Sequence, residues 1–151
     1  SALTRAGGNT TEATTTSTTT VDLLTATVTS IAVLVPFYAI VAIRKTTGAA
    51  NNASWGMKLN ATTIRTNIVW SDPGNAAEYG FLDCMFINGD ATYLRSVVLR
   101  RTGSAAGSGH VPLTGDLPNA AVTSVVLTAL VADALITMAA DEMHVYTYAV
   151  S

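Results

Sequence analysis

Few side chains in this sequence could carry proton transfer, nucleophilic attack or metal binding, and their spacing suits none of the three. His110 and His144 are the two imidazoles, and neither has a second His, Cys or carboxylate at the short intervals that recur in zinc sites. Asp141 and Glu142 come just before His144. Adjacent residues of an extended chain point to opposite faces, so this pair reads as a solvated turn and not as a general acid and base. Cys84 is the single cysteine; it lies in the apolar run from Phe81 to Ile87 and is expected to be a small core residue, unable to form an internal disulfide. The stretch Gly103-Ser104-Ala105-Ala106-Gly107-Ser108-Gly109 lacks the Gly-Lys-Ser/Thr ending that places backbone amides and a lysine around phosphates, and reads as a flexible loop. No nucleophile or base has an orienting partner, so the sequence predicts no catalytic residue, no metal and no cofactor: the chain is not expected to be an enzyme.

Binding chemistry is better represented. Trp55, Trp70, Tyr79 and Tyr93 could stack on the apolar side of pyranose rings if they share an exposed surface; the competing reading places them in a core. Asn9-Thr10-Thr11, Asn52-Ala53-Ser54 and Asn60-Ala61-Thr62 match the glycosylation acceptor pattern, which a Thr- and Asn-rich chain produces by chance. The basic pairs Arg44-Lys45 and Arg100-Arg101 are expected to be solvated strand ends. With a net charge of −2 and a pI near 5.5, the chain offers no attraction for phosphate backbones, and nucleic acid is excluded as an expected partner.

The elements that would carry these residues follow from composition and periodicity. The 151 residues fit one domain with one core. Only 12% of residues are charged, about half the average for a soluble domain, so Thr, Ser, Asn, Gly and Ala must form much of the surface. Such a surface repels its own copies weakly and suits an assembly in which neighbours cover it. Strand-like segments recur about every 10 residues. They are Thr19 to Leu24, Val33 to Ile43, Trp55 to Leu59, Thr63 to Trp70, Glu78 to Ile87, Thr92 to Arg101, Val122 to Val131, Leu135 to Met138 and Met143 to Ala149. Residues 25 to 30 could add an edge segment. Ser71-Asp72-Pro73-Gly74-Asn75 and Asn88-Gly89-Asp90 supply turn chemistry between strands. Val125 to Met138 also matches one face of a helix, so that alternative stays open.

Two apolar stretches invite a membrane reading. Residues 31 to 43 are broken by Pro36 and shorter than the ~20 residues a spanning helix needs, while residues 120 to 140 carry Asp133 and several Thr. Buried strands explain both, and no membrane partner is expected. The opening residues lack the charged-then-apolar order of a secretion signal, so a protein made in the cytoplasm is expected. Residues 1 to 17 form a Thr-rich, low-complexity arm before a β-sandwich domain spanning residues 18 to 151. Thr favours extended backbone, and Leu3, Arg5, Thr10 and Thr15 are expected to anchor the arm along a neighbouring subunit.

The Thr-rich start leading into Val21-Asp22-Leu23-Leu24, then Trp55-Gly56-Met57-Lys58-Leu59, and the closing Ala140-Asp141-Glu142-Met143-His144-Val145-Tyr146-Thr147-Tyr148 resemble the small jelly-roll proteins of tailed bacteriophage particles. The likeness covers about residues 18 to 151. It implies an all-β, antiparallel, jelly-roll-like sandwich without a cofactor. It also implies a virion component, made in the host cytoplasm and carried in the virion: a capsid decoration protein, a fibre module or a tail adaptor. Such a protein would bind its own copies, as a trimer or larger ring, and a major capsid or tail protein. The alternative is a carbohydrate-binding, receptor-binding module of a phage tail or fibre.

Overall fold

The computed structural model describes residues 3–45, 53–70, 78–87, 96–101, 107–112 and 120–148. The described residues form eleven strands: β1 (Leu3–Asn9), β2 (Ala13–Thr15), β3 (Val21–Ile31), β4 (Pro36–Lys45), β5 (Ala53–Leu59), β6 (Thr62–Trp70), β7 (Glu78–Ile87), β8 (Ser96–Arg101), β9 (Gly107–Pro112), β10 (Val122–Val131) and β11 (Met138–Tyr148). All pairings are antiparallel, and the described residues contain no helix. The expected all-β antiparallel fold is therefore what forms.

The strands run in the order β6-β5-β10-β3-β1-β11-β4-β7-β8-β9, with β2 also paired to β11. This is one continuous sheet, and it curls. The Cys84 Sγ of β7 lies 3.1 Å from the Met57 Sδ of β5, although five strands separate β7 from β5 in the sheet order. Contact across such a span requires the two halves to face each other, as the layers of a sandwich do. Between them lie Phe37, Val41, Ile43, Trp55, Met57, Leu59, Leu82, Leu127 and Val145, each at most 1% exposed. Each large side chain of this kind contributes about 1.5–3 kcal/mol through its removal from water.

Period-two alternation explains how the sequence reaches this core. β4 alternates without a break between half-buried and buried residues, the inward positions being Phe37, Ala39, Val41, Ile43 and Lys45. Pro36 opens the strand, where its missing amide hydrogen costs no ladder bond. In β3, Leu24, Ala26, Val28 and Ile31 turn inward and Thr25 and Thr27 outward. Residues 25 to 30 thus continue β3 into the centre of the sheet and are not an edge segment.

The structure alters several expectations. The helical alternative for Val125 to Met138 gives way to β10, which ends at Val131. Residues 135 to 137 join a turn, and β11 begins at Met138. Part of the expected glycine-rich loop, from Gly107 onward, is strand β9. The turn sequences at 71 to 75 and 88 to 90 lie outside the described residues.

The N-terminal arm is extended, as its Thr content implies, but its partners belong to its own chain. β1 sits between β11 and β3: Leu3 lies opposite Tyr148, Arg5 opposite Tyr146 and Gly8 opposite both His144 and Thr27. Thr15 lies opposite Met138, and Thr10 is exposed between β1 and β2. The backbone groups expected to seek a neighbouring subunit are satisfied at the centre of this sheet, where one strand bridges its two halves. Gly7 permits that position, since a Cβ there would collide with the Thr27 carbonyl and Val28 Cα.

Candidate functional site

Strand β7 presents a row of side chains to the outside. Gly80, Leu82 and Cys84 are buried, whereas Tyr79, Phe81 and Met85 are 59%, 48% and 50% exposed. Period two puts Asp83 in the same outward row. Register extends this row across the sheet. Phe81 lies opposite Ala42, Asp83 opposite Ile40 and Met85 opposite Tyr38 on β4. On the far side of β4, Ala42 lies opposite Glu142, Ile40 opposite His144 and Tyr38 opposite Tyr146 on β11.

Polar groups on this face are fixed by each other. The Tyr38 hydroxyl donates to Asp83 Oδ1 at 3.1 Å, and His144 Nε2 lies 3.1 Å from Glu142 Oε2. The rings of His144 and Tyr146 stack with centroids 6.5 Å apart and planes 25° apart. Ile40, Ala42, Phe81, Glu142 and His144 line a depression of about 90 Å³. Its floor is aliphatic, one wall is aromatic and the other holds the carboxylate and imidazole. A second hollow, beside Ser54, Gly56, Thr66 and Thr128, has about 30 Å³. That is room for about one water molecule.

Above this face Arg44 is clamped. Its guanidinium meets Asp141 Oδ1 at 2.9 Å and Glu12 Oε1 at 2.8 Å, and the hydrogen bond to Asp141 leads the effects that raise its pKa above the ordinary value. The irregular register between Ala140 and Glu142 makes this possible. A bulge there leaves Asp141 unpaired in the ladder and free to reach Arg44. The expected solvated turn at Asp141 and Glu142 is instead part of β11, with both carboxylates engaged. Lys45, expected as a solvated strand end, is fully buried.

The aromatic set separates. Trp55 is 1% exposed in the core, which removes it from any sugar-stacking surface. Tyr79 is exposed on the outer row of β7. Trp70 belongs to β6 by backbone, and Tyr93 lies outside the described residues. Phe81, Met85, Asp83, Tyr38 and Tyr146, which complete the face, escaped the sequence reading. For the β7 residues the signal was the alternation Tyr79-x-Phe81-x-Asp83-x-Met85, concealed because the inward positions Leu82 and Cys84 are as apolar as Phe81 and Met85.

Cys84 is buried as expected, and desolvation pushes its thiol well above the usual range. Among the described residues, no three His, Cys, Asp or Glu side chains gather where they could hold a metal ion, and no helix is long and apolar enough to cross a membrane. Two of the three acceptor-pattern asparagines use their amide nitrogens internally. Asn9 Nδ2 donates to Thr25 O and Asn60 Nδ2 to Ala121 O, at 2.9 and 3.0 Å.

No protein-family model matches the chain, and no curated protein sequence is significantly similar to it. Solved structures of similar shape include the CBM2 module of the evolved Dit protein of Lactobacillus casei BL23 phage J-1. It is 8% identical, with a TM-score of 0.38, and the match covers 84% of this chain and 70% of that one. Another is the structure in a study of botulinum neurotoxin type C entry through two ganglioside molecules, 11% identical with a TM-score of 0.45 and coverage of 99% and 44%. A third is the binding domain of botulinum neurotoxin serotype D/C VPI 5993, 10% identical with a TM-score of 0.41 and coverage of 99% and 45%. The chain spans less than half the length of either neurotoxin chain. All are β-rich, and the likeness extends to that build alone.

Proposed function

We propose that this chain is a non-enzymatic, carbohydrate-binding module whose binding face is the outer surface of β7, β4 and β11. The observation that carries the reading is the depression between Phe81 and the Glu142-His144 pair, flanked by exposed Tyr79 and Met85. An aromatic ring beside oriented carboxylates meets the two demands of a sugar, an apolar ring face and a rim of hydroxyls. Because Asp83 and Glu142 are already held by Tyr38 and His144, little side-chain freedom is lost on binding. A phage tail or fibre is the setting that the jelly-roll resemblance implies for such a module.

Binding to an array of immobilised glycans tests this. Phe81→Ala should weaken the retained glycans about tenfold or more, the loss typical of a central aromatic contact, with an unchanged melting temperature. A protein that retains no glycan, or a Phe81→Ala variant that binds as well as the parent, would sink the reading.

The second reading is a capsid decoration or other particle-surface protein that binds its own copies and a shell or tail protein. Leu34 and Leu135 support it, standing 59% and 72% exposed in turns and not on the sugar face. If it holds, changing both to Glu should abolish self-association in sedimentation while glycan retention stays as it was.

A further inference from the structure

Arg5 is the one Lys or Arg whose side chain is described and which has neither an ion pair nor a side-chain hydrogen bond. Arg44 is held by Glu12 and Asp141, and Lys58 by Asp22; Lys45 and Arg65 also have partners. Arg5 is exposed, and its position is set by the residues around it. It lies opposite Tyr146, and Gly8 lies opposite His144, so Arg5 and Gly8 share the face that carries the depression. The guanidinium rests against the bare backbone of Gly8: a Cβ at residue 8 would stand 2.5 Å from Arg5 Nη2. The missing side chain thus forms a notch that holds the cation beside His144, which lines the depression.

The carboxylates of the face are in contact with other groups, Asp83 accepting from the Tyr38 hydroxyl and Glu142 lying beside His144 Nε2, and neither is paired with Arg5. A guanidinium without an ion pair, seated against Gly8 on the face that carries the hollow, offers its N–H fork to an incoming anion. Resting on the carbohydrate-binding reading above, we infer that the ligand is an acidic oligosaccharide: β1 and β7 lie three strands, about 14 Å, apart, so Arg5 takes the carboxylate of one unit while the ring of a neighbouring unit packs on Phe81. A neutral sugar would leave the Arg5 guanidinium to water.

The experiment uses matched pairs of immobilised oligosaccharides, one member containing uronic acid and the other its carboxyl-reduced counterpart. The parent protein should retain the acidic member preferentially. Arg5→Gln should lower that retention about tenfold, as loss of a charge-assisted fork predicts, and leave any weak neutral binding unchanged. Arg5→Lys should restore only part of it, because an ammonium lacks the planar fork. Gly8→Ala, which displaces the guanidinium, should resemble Arg5→Gln in binding; its melting temperature reports separately the strain against the Met143 carbonyl. Equal retention of both members, with Arg5→Gln silent and Phe81→Ala damaging, would overturn the acidic ligand and leave the carbohydrate reading intact. Retention of neither member, nor of any other glycan, would overturn both.

Discussion

Asn60 shows how a single side chain can fasten two hairpins. Its backbone has φ of 53°, a left-handed value that Asn tolerates better than most residues. Its carboxamide accepts from the backbone amide of Thr123 at 2.9 Å and donates to the carbonyl of Ala121 at 3.0 Å. The turn between β5 and β6 is thereby tied to the start of β10. Asn60→Ala should cost about 0.5–1.5 kcal/mol in chemical denaturation, since Ala121 and Thr123 lose a hydrogen-bond partner and the residue loses its tolerance of positive φ. Asn60→Gly, which keeps the backbone conformation, should cost less. Cys84 offers a pH signature at the same scale. Its folded pKa is raised by desolvation, so its contribution to stability is complete below the unfolded pKa and is lost as pH rises toward the folded one. From about pH 8.5 upward, stability should fall by up to about 1.4 kcal/mol per unit relative to Cys84→Ala, while native protein resists thiol reagents that label it once unfolded.

At the scale of elements, β1 is the piece whose role depends most on its neighbours. None of its residues is fully buried, so it holds its place through main-chain hydrogen bonds to β11 and β3, each worth about 0.5–1.5 kcal/mol net. Removing residues 1 to 17 strips bonds from both strands and takes away Glu12, one of the partners of Arg44. An appendage could be deleted without harm to the domain; a central strand could not. The truncated protein should therefore melt well below the full chain, or fail to fold, and an unchanged melting temperature would refute the bridging role. Gly7→Ala addresses the same seam with one methyl group, at an expected cost of about 1–3 kcal/mol from the collision with Thr27.

For the whole molecule, one sheet and one core join residues distant in sequence: Leu3 opposes Tyr148 and Met57 touches Cys84. Unfolding should accordingly be a single cooperative transition, with far-ultraviolet circular dichroism and tryptophan fluorescence giving coincident curves. Separate transitions would mean that the two halves of the sheet are independent units. The sequence by itself determined the all-β class, the strands around Phe37, Trp55 and Leu127, and the burial of Cys84, because side-chain alternation and turn chemistry are local and are written residue by residue. It did not reveal that residues 3 to 9 close the sheet or that Lys45 lies buried. Nor did it show that Phe81 stands across β4 from Glu142 and His144. Those facts depend on which strands become neighbours and in what register, a choice made by long-range pairing and by the shape of the shared core. The outer face of β7, β4 and β11 is a product of that choice: each strand supplies its outward residues by local alternation, but only the curled sheet lines them up.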